Sequence, residues 1–214
     1  MLLGSRAADG VSGRGRAGAS TAPVKDALTS GPPRKWVFFS GWDALMQCAM
    51  HPERSGGGAL WWDERVVVIV DKYPKARHHW LVVAREAAMI EPSCLKLEHL
   101  PLLEHMLSVG QDWAARHREP SAAPFRYGFH AIPSMQQLHL HVISQDLQGS
   151  GMNHKKHWNS FATVYFRDAC NVMEQLREME HACVDEDTAS NLLKNPLECN
   201  RCHERFQTMP ALKS

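Results

Sequence analysis

In Leu138-His139-Leu140-His141-Val142-Ile143 histidine alternates with aliphatic residues. A period of two sends His139 and His141 to one face of a strand and Leu138, Leu140 and Val142 to the other, into a core. Paired imidazoles titrate near neutrality and can act as nucleophiles, acids or phosphate ligands. The pattern also suits a strand whose solvent face carries histidine, or a core histidine bonded to a backbone carbonyl. The flanking segments have to decide.

Upstream, the β-branched run over residues 64–71 reads as a strand, and Asp71-Lys72-Tyr73-Pro74-Lys75-Ala76-Arg77 as the turn after it. His79-Trp80-Leu81-Val82-Val83 returns antiparallel across that turn. Residues 97–118 repeat apolar side chains at helical spacing, with Leu100, Leu103, Met106, Val109 and Trp113 on one side. Residues 125–132 and 138–144 form two further strands joined by Pro133-Ser134-Met135-Gln136-Gln137. The expectation is an α+β fold: four antiparallel strands with a helix against one face. Residues 35–46 read as a lead-in to a short helix, Gly56-Gly57-Gly58 as a loop, 164–182 as a second helix and 185–187 as a solvated bend.

The chain has 214 residues, room for one domain of about 130 to 150 residues plus extensions. Its formal charge of +1 means that an anionic partner must be met by a local patch rather than by bulk charge. Six dispersed cysteines do not make a disulfide framework, which points to a reducing compartment. The longest apolar run, residues 66–70, is far too short to span a membrane. The first thirty residues are rich in Gly, Ala, Ser and Arg. They read as a disordered tail, with a mitochondrial transit peptide as the other compositional reading.

The segments around the two histidines resemble the histidine-triad (HIT) superfamily of nucleotide hydrolases and transferases, whose strand ends His-φ-His-φ-His-φ-φ. Gln137 stands where the first of those histidines would be. Residues 71–82 resemble the superfamily's Asp-turn-Pro-x-Ala-x-x-His strand pair. Ile132-Pro133-Ser134-Met135, Ile143-Ser144-Gln145-Asp146 and Lys155-Lys156-His157-Trp158-Asn159-Ser160-Phe161 follow in the order found in the aprataxin family. The resemblance runs from about Trp36 to the C-terminus and does not include the forkhead-associated domain that precedes the catalytic region in vertebrate aprataxins. It implies a HIT-like antiparallel sheet with packed helices, followed by a partial C2H2-type zinc-finger segment. The expected divisions are a tail (1–34), a catalytic domain (35–165), a helix and linker (166–195) and a finger segment (196–214).

Aprataxins are DNA 5′-adenylate hydrolases, so the resemblance implies that His139 attacks the AMP phosphorus, His141 donates to phosphate oxygens and His79 protonates the leaving 5′-phosphate. It assigns Ser134, Gln137, Lys156, Asp71, Leu45 and Met46 to phosphate or nucleotide, and Trp42, Lys155 and His157 to DNA. Each has a plainer reading: Ser134 and Asp71 as turn residues, Lys156 as a solvated lysine, Trp42 as core. The implied partners are 5′-adenylated nicked or broken DNA, RNA–DNA junctions among them, with AMP as product, and the implied protein is nuclear and monomeric. Two readings stay open beside it: a HIT hydrolase of small AMP conjugates, and a catalytically impaired nucleic-acid-binding module.

Cys199-Asn200-Arg201-Cys202 has the spacing of half a Cys2His2 zinc site. The two further ligands would fall beyond Ser214. Zn2+ belongs to the family's finger and not to its chemistry, and two thiolates alone should bind it weakly.

Overall fold

The computed structural model describes residues 44–55, 58–86 and 91–214. The tail, the lead-in and Trp42 lie outside the described residues. Six antiparallel strands form one sheet: β1 (Ala59–Trp62), β2 (Val66–Val70), β3 (His79–Ala84), β4 (Phe125–His130), β5 (His139–Ser144) and β6 (Phe166–Asp168), in spatial order β1-β2-β3-β5-β4-β6. The turn between β2 and β3 is set locally: the Asp71 carboxylate accepts the Tyr73 N–H at 2.7 Å, and Pro74 follows. That turn fixes the register, Val66 opposite Ala84 and Val70 opposite Trp80.

Both faces of the sheet are covered, not one. α2 (Leu100–His117), with proline in its first turn, buries Leu102, Leu103, Met106 and Trp113. They pack against Val66, Val68, Val82, Leu140 and Val142 on the back face, beside α4 (Ala169–Met179). Each such aliphatic side chain contributes roughly 1.5–3 kcal/mol when taken out of water. On the front face α1 (Ala44–Met50) covers Val67, Ile69, Leu81 and Val83. α3 (Lys155–Ala162) covers Ile143 through Trp158 and Phe161. The histidines of β5 lie between these two helices.

Several expectations need correction. The helix expected over 164–182 splits: β6 joins the sheet next to β4, and only then does α4 begin. The cause is the open edge of β4, whose backbone groups need partners, together with Phe166, which buries against Phe161 at 5.6 Å. The core therefore continues past residue 165 into the segment read as helix and linker. β1, hidden behind the glycine loop, adds a sixth strand. The supposed bend at 185–187 starts α5 (Glu186–Leu192), capped by the Asp185 carboxylate, which accepts the Thr188 N–H. Residues 197–213 fold as a hairpin, β7 (Leu197–Glu198) with β8 (Arg205–Phe206), followed by α6 (Met209–Lys213). Among the described residues no helix is long and apolar enough to cross a membrane.

Candidate active site

His139 and His141 leave β5 on the front face, as their parity requires, and pairing brings two more imidazoles beside them. His79 begins β3, where it faces Ile143, with Leu81 facing His141. His130 ends β4, whose register sets Gly128 opposite His141. The four rings form a cluster, with His79 to His141 at 5.1 Å, His130 to His141 at 4.4 Å and His139 to His141 at 4.9 Å between centroids. The edge of Phe161 meets three of them, His130 most closely at 4.6 Å.

Hydrogen bonds assign the tautomers. The Lys75 N–H donates to His79 Nδ1 at 3.1 Å, so the His79 proton sits on Nε2. That nitrogen donates to His141 Nδ1 at 2.9 Å, so the His141 proton sits on its own Nε2. There it is a buried donor with no partner. His139 donates from Nδ1 to the Gln137 carbonyl at 2.8 Å, which leaves the Nε2 lone pair free. Burial keeps all four imidazoles neutral. It lowers the pKa of His79 to about 4 against the pull of the Asp71 carboxylate, 3.6 Å away. Burial also lowers His139, opposed by its bond to Gln137, and drives His130 and His141 well down, helped by their imidazole neighbours.

These groups floor a cleft of about 610 Å³, of the size that holds a nucleotide. Asp71, Ser134, His139, His141, Lys156 and His157 line it, and Leu45 reaches it from α1. Met46 is half-buried on the same helix and is not among the lining residues. His79 is not at the surface of the cleft. Its side chain is fully enclosed and reaches the cleft through the lining residues it touches, His141, Asp71 and Lys75. Lys155 turns away, its ammonium donating to the Lys194 carbonyl at 3.0 Å. Gln137 is the clearest departure from expectation: its side-chain amide donates to the Ala84 and Glu86 carbonyls at 2.6 and 2.9 Å, away from the cleft. It acts on the site through its main-chain carbonyl, not as a phosphate ligand.

One wall is made by two loops in close contact. Gly149 and Gly151 lie flat on the 73–76 turn and donate to the Lys75 and Pro74 carbonyls at 3.1 and 2.8 Å. A Cβ at Gly151 would fall 2.3 Å from the Tyr73 carbonyl oxygen. The lining also includes Tyr165, Ser190 and Leu193, from segments that carried no site expectation. His130 was also missed. Parity within the strand ties it only to Arg126 and Gly128, and its place beside His141 comes from the register that sets Gly128 opposite His141.

Asp71, His79 and His141 stand close enough together to suggest a metal site. Both ring nitrogens of His79 are already engaged, one by the Lys75 amide and one by His141, so the arrangement is a hydrogen-bonded chain. The Cys199–Cys202 hairpin suits zinc better. The Cys199 thiol lies below its ordinary range because the main-chain N–H groups of Cys202 and Arg201 point at it. Two thiolates fit half of a tetrahedral site, and no third His, Cys, Asp or Glu joins them among the described residues. His203, next in sequence, turns to Glu198 at 3.1 Å.

A His-x-His strand at the centre of an antiparallel sheet, with imidazoles converging from its two neighbours, defines a protein of the histidine-triad class. The family model described as "Scavenger mRNA decapping enzyme C-term binding" matches residues 46–157, and that of the "C2HE / C2H2 / C2HC zinc-binding finger" matches 162–214. The chain belongs to that histidine-triad family and, within it, to the aprataxins. It is 50% identical over 151 residues to aprataxin of Gallus gallus, covering 71% of this chain and 47% of that protein. It is 44% identical over 179 residues to transcription factor bHLH140 of Arabidopsis thaliana, covering 81% of this chain and 19% of that protein. The chain thus spans less than half the length of either relative. The crystal structure of the aprataxin ortholog Hnt3 in complex with DNA superposes with a TM-score of 0.68 at 26% identity, covering 81% of this chain and 92% of that one.

Proposed function

We propose that this chain hydrolyses 5′-adenylated DNA ends. The observation that carries the reading is the tautomer arrangement: His139, buried in the cleft floor, presents a free Nε2 lone pair next to the unpartnered Nε2–H of His141. In this reading the His139 Nε2 attacks the AMP phosphorus and the P–O bond to the DNA 5′-phosphate breaks. His141 donates to a phosphate oxygen at the cleft floor, satisfying a donor otherwise left buried and unpaired. Lys156 and Ser134 meet the remaining phosphate charge from the cleft wall. Water then cleaves the P–N bond, releasing AMP and restoring His139.

The leaving group bears on Gln137 and His79. A terminal phosphate has a second pKa near 6, so it departs at neutral pH without full protonation. Neither a third triad histidine nor a charged acid is required, which suits a neutral His79 and a glutamine committed to backbone carbonyls. His79 then acts behind the cleft, orienting His141. The Hnt3–DNA complex supports a nucleic-acid partner, and such a substrate points to work in the nucleus, at RNA–DNA junctions as well as DNA nicks. Zinc, when bound at the Cys199 hairpin, would cross-link that hairpin, and it has no part in the steps above.

The test is AMP release from a nicked duplex carrying a 5′-AMP. The wild-type chain should release it, and His139→Ala should lower the rate by at least about a thousandfold. Release from an AMP–amine conjugate without release from the nick would overturn the DNA reading. Undiminished turnover in His139→Ala would remove the nucleophile.

A further inference from the structure

α3 has two working sides. With about 3.6 residues per turn, Lys156, His157, Ser160 and Phe161 share one side, and all four line the cleft. Lys155, Trp158 and Asn159 share the other, and each donates to a main-chain carbonyl of the C-terminal hairpin's first strand or of the segment leading into it. Lys155 Nζ reaches Lys194 at 3.0 Å and Trp158 Nε1 reaches Glu198 at 2.8 Å. Asn159 Nδ2 reaches both Leu193, at 3.3 Å, and Asn195, at 2.8 Å. Lys155 is exposed and Trp158 is also a core residue, whereas the Asn159 residue is 1% exposed and its amide has only this use. Leu193, whose carbonyl it holds, also lines the cleft, and Cys199 follows six residues later.

We propose that Asn159 is a positioning residue that sets substrate specificity: it fixes the C-terminal hairpin in register with the histidine cleft, favouring an adenylated polymer that touches both over a small AMP conjugate that touches only the cleft. The inference rests on the adenylated-DNA reading. Both Asn159 N–H groups point at carbonyls, so an acceptor in their place is repelled by both. The hairpin then loses its fixed distance from the histidines. The histidine tautomers, set by Lys75, His79 and Gln137, are untouched. A polymer bridging the two regions loses the advantage of paired contacts held at a matched span. A small conjugate keeps the histidine floor and has only the Leu193 part of the cleft lining to lose.

The experiment compares wild type, Asn159→Asp and Asn159→Ser on an adenylated nicked duplex and on AMP joined to an amine. Asn159→Asp should raise KM for the nick about tenfold, with kcat and the kcat/KM for the amine each within twofold. Asn159→Ser, which keeps one donor, should fall between Asp and wild type, and it replaces Asn159→Asp if that variant does not fold. Equal losses on both substrates, a loss confined to kcat, or no change on the nick would overturn the inference while leaving the adenylated-DNA reading intact. A wild-type chain inactive on the nick would overturn that reading and this inference together.

Discussion

At the scale of single residues, Gln137 shows how a position can matter through the main chain. Its φ of 83° is unusual for a residue with a side chain, and its amide bonds to Ala84 and Glu86 hold it there. The carbonyl so placed sets the tautomer of His139. Gln137→Ala should therefore lower stability by about 1–3 kcal/mol, read from the denaturation midpoint. Turnover per folded molecule should change by less than about threefold, because the carbonyl remains. A large loss of kcat at full folding would return a direct chemical role to the amide. His139 and His141 were legible in the sequence because period two is strict inside a strand. His130 was not, because Arg126, Tyr127 and Gly128 before it give no apolar alternation to mark a face, and all are half-buried or tightly packed. The amide of Gln137 was misread because sequence shows a residue type and not which carbonyls stand within its reach.

At the scale of elements, the strands that read clearly, β2 to β5, are β-branched or alternating and are bounded by proline, glycine or acidic turns. β1 and β6 were missed for a common reason: four and three residues long, they are held by the neighbour they pair with more than by their own pattern. The role of α5 and residue 193 as a cleft wall is likewise a matter of packing, carried by Tyr165, Ala189 and Leu193 meeting beside Ala131. The hairpin of β7 and β8 allows a sharper expectation. It forms with two thiols in place and its own hydrogen bonds, Cys199 N–H to the Glu204 carbonyl at 2.8 Å and His203 N–H to the Cys199 carbonyl at 3.0 Å. Zinc titrated into this 214-residue chain should bind well below one equivalent at micromolar concentration, because two of four ligands leave the ion open to water. Tight one-to-one binding by calorimetry would show that other groups of the chain complete the site.

At the scale of the whole molecule, the buried histidines tie stability to pH. Below about pH 6.5 the unfolded chain takes up protons that folded His79 refuses until about pH 4. Its contribution is complete above pH 6.5 and is lost as pH falls through that interval, on the order of 3 kcal/mol for this residue alone. His130, His139 and His141 shift in the same direction. The urea midpoint should fall steeply between pH 6.5 and 4.5, and a flat profile there would contradict the neutral, buried state of the cluster. The sheet order has one more consequence. His79, His130, His139 and His141 all stand on strands with a neighbour on each side, while β1 and β6 take the two margins. Fraying begins at margins, so the central amide protons should exchange with solvent only when the entire domain opens. Damage to this chain should then act on its chemistry as a switch: molecules that remain folded keep an intact cluster, and weakened variants lose activity by losing folded molecules.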